Sequence, residues 1–232
     1  MPLDEDSKKF TAVITPTHGL VEFNYLPFGI KTSPGWFQRG MDRAFKSCND
    51  FASIYIDDVN FGADDENEHY NKLEKILTAC KEGGITLKVE KAQILHSAVK
   101  VLGHIVSADG LKPDPKKIQT IKNLKSPQNK SELKSFLGAI QFLSRYLPLV
   151  YIVAPLMELT KKKIKWHWEE VHEKAFNDIK SLLSEKMTLT KHNPDLPTGL
   201  VTDASDNGVG ACLFQVVNEQ LLPIEFYSKK MT

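Results

Sequence analysis

The sequence predicts an α+β fold, because strand-like and helix-like segments do not alternate regularly along it. Short apolar runs broken by turn residues fill residues 10–61, helical patterns dominate residues 114–183, and three strand-like runs occupy residues 199–228. With 232 residues, of which 41% are hydrophobic and 25% charged, the chain can bury a core and exceeds the roughly 100–200 residues of a single domain. We therefore expect a folded protein with more than one domain.

The first predicted elements are a β-hairpin and a helix. In residues 10–23, two apolar runs flank a turn that Pro16 and Gly19 can supply. The Ser-Pro pair at Ser33 is typical of a helix start, with Ser33 as the N-cap and proline in the first turn. We expect that helix to cover residues 33–45.

Two further hairpins and a helix follow in the first half. In residues 51–61, two apolar runs meet at Asp57 and Asp58, which predicts a hairpin with both carboxylates at its tip. Residues 65–82 have apolar side chains at helical spacing and end at a Gly-Gly pair that suits a C-terminal cap. Residues 99–107 again indicate a hairpin, so we expect a sheet covered by helices.

The second half begins with helices and ends with strands. Asp114 before a proline, and Asn129 in a capping box, are both typical of helix starts. A third helix is expected near Trp168, and residues 192–197 are rich enough in Pro and Asn to form a linker. Beyond the linker we expect three strands separated by turns at residues 206–208 and 218–220. With no covering helix, they would be a poor independent unit.

Charge is distributed unevenly along the chain although the net charge is only +1. Residues 1–110 hold 12 Lys and Arg against 16 Asp and Glu, whereas residues 111–232 hold 18 against 13. Within residues 112–134 there are seven lysines and two acids. Such a segment can contact a phosphate backbone if the lysines share one face, and otherwise it is a solvated helical surface.

Cysteine content and hydropathy bear on the cellular compartment. Cys48, Cys80 and Cys212 are far apart and form no C-x-x-C pair, which argues against a disulfide framework, a zinc site and a secreted origin. We expect all three to be buried free thiols. No stretch approaches the ~18 apolar residues of a membrane span, so we expect an intracellular protein without a membrane role.

The Asp57-Asp58 pair is the strongest candidate for chemistry. Two carboxylates ~5 Å apart repel by roughly 3 kcal/mol at an effective dielectric constant near 20, so they need water, a cation or a metal nearby. Residues 51–71 contain no Lys or Arg. Hard oxygen ligands without a local counter-ion suit Mg²⁺, which one or two carboxylates plus substrate phosphates typically hold. The alternative is that Asp-Asp is simply favourable turn chemistry.

The order of several motifs extends this interpretation to most of the chain. Y-I-D-D follows L-P-F-G and S-P-G-W-F-Q, and precedes L-G-H-I-V-S and D-G-L-K-P-D-P-K-K-I. L-K-S-F-L-G, A-P-L-M-E-L-T-K-K and W-H-W come next. Together they resemble the reverse transcriptases of gypsy-type long-terminal-repeat retroelements. The last motif, T-D-A-S-D-N-G-V-G-A-C-L-F-Q, resembles the opening of the ribonuclease H domain of that family.

The resemblance implies roles for particular residues. Asp57 and Asp58 would be two of three palm carboxylates that hold catalytic Mg²⁺ or Mn²⁺, and Asp203 would be the first metal carboxylate of the ribonuclease H site. Residues expected to contact nucleotide, template or primer are Leu26, Pro27, Phe28, Gly29, Tyr55, Leu102, Gly103 and His104, where Gly103 would let backbone approach backbone. Residues expected to contact the phosphate backbone are Lys116, Lys117 and Lys122.

Each of these assignments has a structural alternative. Phe28 and Tyr55 could be core aromatics, and Gly103 could be an ordinary hairpin glycine. Asp203 could be a surface acid on an edge strand, and the lysines a solvated helix face. The histidines, Trp166 and Trp168 show no ligand spacing, and they are expected to pack or to tether elements.

The resemblance also implies a domain order and a set of partners. Residues 1–108 would be a palm, 109–150 a helical thumb, 151–195 a connection, and 196–232 the first three strands of a ribonuclease H-like domain. The implied parent activity is RNA-directed DNA polymerisation with attached ribonuclease H. The implied partners are RNA template, DNA primer, RNA–DNA hybrid and deoxynucleoside triphosphates.

The same comparison of motifs leads us to expect that both active sites are incomplete in these 232 residues. The third palm carboxylate, the fingers and the ribonuclease glutamate have no counterpart here, so we expect little polymerase activity from the chain alone. The alternative is a host-retained, non-catalytic domain that binds nucleic acid or another protein. A decaying gene fragment that does not fold stably is a third possibility.

Overall fold

The computed structural model describes residues 1–147, 149–183, 187–205 and 208–230. The chain forms two compact units, Met1–Leu95 and His96–Thr232, and each is described by itself below. The predicted turn at Asp206-Asn207 lies outside the described residues. The division into palm, thumb, connection and ribonuclease H-like segments remains a prediction, because the structure divides the chain only once, between Leu95 and His96.

The first unit is built from two β-hairpins and two long helices. The elements are α1 (Glu5–Lys8), β1 (Val13–Thr15), β2 (Gly19–Val21), α2 (Ser33–Ala44), β3 (Ala52–Tyr55), β4 (Asp58–Phe61) and α3 (Glu66–Glu82), with 3₁₀ turns at Lys9–Thr11, Lys46–Cys48 and Val89–Lys91. Both hairpins are antiparallel two-stranded sheets, β1 with β2 and β3 with β4. The two hairpins expected within residues 1–95 therefore form as the alternation of apolar and turn residues indicates.

The core of the first unit joins α2 to α3. Its buried side chains are Met41, Phe45, Cys48, Ile76, Ala79 and Cys80. Ile54 of β3 and Val59 of β4 pack against this cluster, so the second hairpin is anchored directly on the two helices. The anchoring matters for function, because it fixes the turn that carries Asp57 and Asp58.

The ends of the helices follow local chemistry, with one correction. Asp65 caps α3 by accepting a hydrogen bond from the Glu68 amide, and α3 ends at Gly83 as expected. For α2 the expected N-cap is wrong: Thr32 occupies the cap position without a side-chain bond, and Ser33 is already inside the helix. The Ser33 hydroxyl instead donates to the carbonyl of Pro27, which ties α2 to the preceding bend.

The second unit contains four helices among its described residues and two three-stranded sheets. Its elements are β5 (Ala98–Val101), β6 (His104–Ser107), β7 (Gly110–Pro113), α4 (Pro115–Lys122), α5 (Lys130–Leu143), a 3₁₀ turn at Ser144–Tyr146, α6 (Val150–Leu159), α7 (Glu170–Leu182), β8 (Thr198–Ser205), β9 (Gly208–Val217) and β10 (Gln220–Lys230). The sheets are antiparallel, with strand orders β5-β6-β7 and β10-β9-β8.

Two of these elements were not expected from the sequence. Strand β7 lies directly before the strong helix signal at Asp114, so its four residues carry no separate strand pattern. It is fixed by pairing with β6 and by a bridge between Leu111 and Leu189. Helix α6 contains Pro155, a residue that normally argues against a helix interior.

One apolar core holds the helices of the second unit together. Its buried members come from α4, α5, α6 and α7 and the turns between them; the largest fully buried ones are Phe176, Leu133, Ile140, Leu143, Leu156, Ile179 and Leu183. Trp166 and Trp168 pack on this core, as expected for packing residues. Phe226 of β10 also contacts it, so the last sheet is attached to the helical core.

In the β8–β10 sheet, the second hairpin turn lies where the sequence predicts it. The turn between β9 and β10 uses Asn218 and Glu219 with φ of 49° and 63°, the conformation of a tight hairpin turn. The Phe214 ring covers Gly199, where a larger residue would clash. No helix in the described residues is long and apolar enough to span a membrane.

The three cysteines are free thiols, with one departure from expectation. Cys48 and Cys80 are buried, but Cys212 on β9 is only half-buried. The physical reason is that Cys212 pairs with Val201 of the edge strand β8, which is itself exposed, so the thiol lies beside a solvent-accessible position.

Candidate active site

The two carboxylates lie at the turn of the β3–β4 hairpin. Tyr55 and Asp58 pair across the two strands, so the turn itself consists of Ile56 and Asp57. Both carboxylates are exposed. Ile56 has a φ of 53°, which is a genuine outlier for a β-branched residue and costs roughly 1–3 kcal/mol unless its surroundings hold it there.

Gln38 of α2 supplies the support that the strained turn needs. Its Oε1 accepts a hydrogen bond of 2.6 Å from the Ile56 amide. Its Nε2 donates to the Ile54 carbonyl at 3.1 Å and to Asp42 Oδ1 at 2.7 Å. One side chain therefore bonds the backbone on both sides of Tyr55. Sequence reasoning noted S-P-G-W-F-Q only as a motif and missed this role, because the signal was a lone glutamine on a helix.

The Asp57 and Asp58 carboxylates supply only part of the ligands that a divalent cation needs. Among the described residues, neither Asp57 nor Asp58 has an ion-pair partner, so their oxygens are available to a hard cation. Within the same residues no group of three or more His, Cys, Asp or Glu side chains is arranged to hold a metal. The hairpin could thus provide two carboxylate ligands, and water or phosphate oxygens would supply the others.

Phe28 and Tyr55 are surface aromatics, so the core alternative is wrong for both. The Phe28 side chain is fully exposed, on a bend where Gly29 has a φ of 88°. The bend is held at its base by the Leu26 amide, which donates to the Met1 carbonyl, and by the bond from Ser33 to Pro27. Tyr55 is 51% exposed. Both rings are available to stack on a base or a sugar.

The Leu102-Gly103 turn of the second unit is packed by side chains. Leu102 and Gly103 have φ of 49° and 85°, as in a tight hairpin turn. The close neighbours of Gly103 are the Lys117 side chain and the Phe142 ring. The expected approach of the Gly103 backbone to a primer backbone stays a prediction. Within the chain itself, backbone approaches backbone at Gly110, where an added Cβ would overlap the Leu189 carbonyl.

His104 is half-buried in the second unit and contacts two aromatic side chains. Its ring stacks on Phe142 at 4.6 Å, and its Nδ1 shares a hydrogen bond of 2.6 Å with the Tyr146 hydroxyl. Burial, with Arg145 and Lys117 nearby, lowers the pKa of His104 below its usual value. Burial raises the pKa of Tyr146 to about 12. Both groups are consequently neutral near pH 7, and the hydroxyl can donate to the imidazole.

The three α4 lysines are not equivalent. Lys116 is exposed, and Lys122 is half-buried. Lys117 places its ammonium 3.6 Å from the centre of the Phe142 ring, a cation–π contact that braces the Leu102-Gly103 turn. Asp114 begins α4 as expected and pairs with Lys100 at 2.5 Å, which lowers the pKa of that carboxyl together with the bond from the Lys116 amide.

Asp203 lies on the edge strand β8 and is exposed. The Tyr151 hydroxyl of α6 donates to its Oδ2 at 3.0 Å. The partner was not expected from the sequence, because the two residues belong to separate elements. The sheet pairs Asp203 with Gly210, which leaves open space beside the carboxylate.

Comparison with known proteins adds two family matches. Residues 1–106 match the model described as reverse transcriptase (RNA-dependent DNA polymerase), and residues 168–232 match that of the RNase H-like domain found in reverse transcriptase. The chain is 31% identical, over 92% of its length, to the retrovirus-related Pol polyprotein from transposon opus of Drosophila melanogaster. It is 30% identical, again over 92%, to the transposon Tf2-3 polyprotein of Schizosaccharomyces pombe. It spans only 23% and 16% of those two proteins.

A solved structure with the same fold is the foamy viral protease-reverse transcriptase in complex with RNA/DNA hybrid. The match has a TM-score of 0.85 and 26% identity, and covers 100% of this chain and 31% of that one. The α+β architecture of both units therefore agrees with the fold expected from the motifs.

Proposed function

The chain belongs to the reverse transcriptase family, and on that premise we propose that it forms part of the two-metal nucleotidyl-transfer site of a retroelement Pol polyprotein. The observation that carries the proposal is the β3–β4 hairpin. It presents Asp57 and Asp58 to solvent on a strained turn that Gln38 holds in place. Strain that is retained by specific hydrogen bonds is typical of functional sites.

The roles of this chain's own residues follow from the geometry. Asp57 and Asp58 would hold Mg²⁺ or Mn²⁺, which supplies activation of the attacking hydroxyl and stabilisation of the leaving oxygen. Gln38 keeps both carboxylates in register by fixing the backbone of the turn. The exposed rings of Phe28 and Tyr55 offer faces for a sugar or base of the incoming deoxynucleoside triphosphate and template.

The second unit would hold the nucleic acid. RNA template, DNA primer and RNA–DNA hybrid are the proposed partners. The foamy viral protease-reverse transcriptase, whose structure is in complex with RNA/DNA hybrid, supports this proposal. Lys116 and Lys122 would contact phosphates without reading sequence, whereas Lys117 would brace the Leu102-Gly103 turn against α4. Asp203 would serve the attached ribonuclease H, and its bond from Tyr151 would orient the carboxylate.

The test of this proposal is metal binding at the hairpin. In NMR spectra of the full 232-residue chain, substoichiometric Mn²⁺ should broaden the amide signals around Asp57 and Asp58, because a paramagnetic ion relaxes nearby protons. The double variant Asp57→Asn/Asp58→Asn should lose the broadening. Asp50→Asn removes an exposed acid just before β3 and should retain it. Broadening that persists in the double variant would show that the hairpin is not the metal site.

A primer-extension assay with the same variants separates metal binding from turnover. Since the described residues contribute two carboxylates to this site, we expect metal binding but no template-directed extension by the chain alone. If the parent chain extends the primer and Asp57→Asn abolishes that extension, the expectation of an incomplete site is contradicted and Asp57 is assigned directly to catalysis.

A further inference from the structure

A basic turn, defined as residues 161–165, follows α6 in the second unit. It carries four exposed lysines, Lys161, Lys162, Lys163 and Lys165. No acidic residue occurs between Glu158 and Glu169. Lys161 pairs with Glu158 at 2.5 Å. Among the described residues, no carboxylate lies within ion-pair distance of the other three lysines.

The backbone of the basic turn is fixed by Lys130. The Lys130 ammonium donates to the carbonyl of Lys161 at 2.6 Å and also to the carbonyl of Ile164. Lys130 is the first residue of α5, where the helix dipole disfavours a cation. Lys130 therefore holds the backbone of this turn from a position where a cation is otherwise unfavourable, through hydrogen bonds to two of its carbonyls.

The tryptophans hold the far end of the basic turn. Trp166 and Trp168 stack at 5.7 Å with an angle of 25° between their rings, and both pack on the core of the second unit. The Trp168 indole donates to Glu173 at 2.7 Å. The turn that carries the lysines is thus held by the Lys130 hydrogen bonds and by the packed tryptophans, which keeps the lysine charges close together.

We propose that the basic turn is a second phosphate-backbone contact for a nucleic-acid duplex, separate from the α4 lysines. The proposal rests on the proposed function, because it assumes that the second unit binds RNA–DNA hybrid. Three unpaired ammonium groups on a fixed turn repel one another, and phosphates relieve that repulsion. When the ammonium groups neutralise phosphates, the cations condensed on the duplex are released. The Ile164 amide donates to the Lys161 carbonyl at 3.3 Å, so the backbone forms a closed turn. A receptor that binds an extended basic peptide is disfavoured for that reason.

One duplex can reach both lysine groups. Lys122 ends α4, and Lys130, which bonds the basic turn directly, begins α5, so at most about 29 Å of extended chain separates these two residues. A 20-base-pair duplex is roughly 70 Å long. The two contacts together would therefore hold the duplex at two points along its length.

Fluorescence anisotropy with a labelled 20-base-pair RNA–DNA hybrid tests the proposal across a salt series. The variant Lys162→Ala/Lys163→Ala should reduce the slope of log affinity against log salt by about 2, and should weaken binding on the order of tenfold or more at 0.1 M salt. The matched control Lys174→Ala/Lys191→Ala removes the same charge from exposed positions elsewhere in the unit and should bind like the parent chain. The charge-retaining variant Lys162→Arg/Lys163→Arg should restore the slope.

The outcomes separate this inference from the proposed function. If Lys162→Ala/Lys163→Ala binds like its control while Lys116→Ala/Lys122→Ala binds weakly, the basic turn is not a contact and hybrid binding by the unit stands. If the parent chain does not bind the hybrid with any salt dependence, both the inference and hybrid binding by the unit fail. Thermal melts of each variant that match the parent exclude unfolding as the cause of a loss.

Discussion

Replacing Gln38 by leucine tests whether this side chain holds the carboxylate turn. Leucine occupies a similar volume but can neither accept from the Ile56 amide nor donate to the Ile54 carbonyl. A typical intramolecular hydrogen bond contributes about 0.5–1.5 kcal/mol net, and the exposed bond to Asp42 contributes the least of the three. The local stability of the turn should therefore fall by about 2 kcal/mol. Because 1.4 kcal/mol corresponds to a factor of ten, opening should become roughly 30-fold more frequent.

Amide hydrogen exchange of Ile56, followed by NMR, measures that opening directly. In the parent chain the amide is bonded to Gln38 Oε1, and in Gln38→Leu it should exchange roughly 30-fold faster. Gln38→Glu keeps an oxygen acceptor and should show partial protection. Gln93→Leu, at an exposed position of the same unit, should leave Ile56 unchanged. Equal exchange of Ile56 in the parent and in Gln38→Leu would refute the reasoning, because the strain at this residue would then be held by something else.

Two further predictions concern the second unit. Gly110→Ala should destabilise it by roughly 2–5 kcal/mol in urea denaturation, because the new Cβ meets the Leu189 carbonyl and φ is 124°. Gly138→Ala, in open space on α5, should instead stabilise it by up to about 1 kcal/mol, and equal effects of the two changes would count against the close approach. The pKa of His104 lies below its usual 6.5 because of burial and two nearby cations. As the pH falls, the His104 imidazole is therefore protonated in the unfolded chain before it is protonated in the folded chain. Unfolding free energy should therefore be insensitive to this group above pH 7 and fall as the pH drops below about 6.5. His104→Gln should remove that part of the pH dependence, and an unchanged pH profile would contradict it.

The hairpins within residues 10–107 and the starts of α3, α4, α5 and α7 could be predicted because their causes are local. Asn129 and Asp114 cap α5 and α4 through bonds to amides two or three residues away, and such spacings are visible in a sequence. The same holds for the carboxylate pair, since Tyr55 to Asp58 is one tight turn. The motif order was equally readable, and it indicated the family to which the chain belongs.

The missed elements and contacts have distant partners. Strand β7 depends on Leu189, far along the chain, so four residues without an alternating pattern could not reveal it. The cap position of α2 was misjudged because Ser33 bonds Pro27 and not its own helix. The half-buried state of Cys212 follows from its pairing with the exposed Val201 of the edge strand β8, and no local pattern records that pairing.

The sequence by itself determined which residues can do chemistry, since carboxylate spacing, capping signals and lysine density depend on neighbours along the chain. Tertiary structure decided what supports them. Gln38 reaches a turn 18 residues away, and His104 bonds a tyrosine 42 residues away. Lys117 contacts the Phe142 ring beside the Leu102-Gly103 turn, and Lys130 of α5 bonds two carbonyls of the basic turn that follows α6. Those pairings arise only when packing of the two cores brings distant segments together, because hydrogen bonds and ring contacts act over a few ångströms.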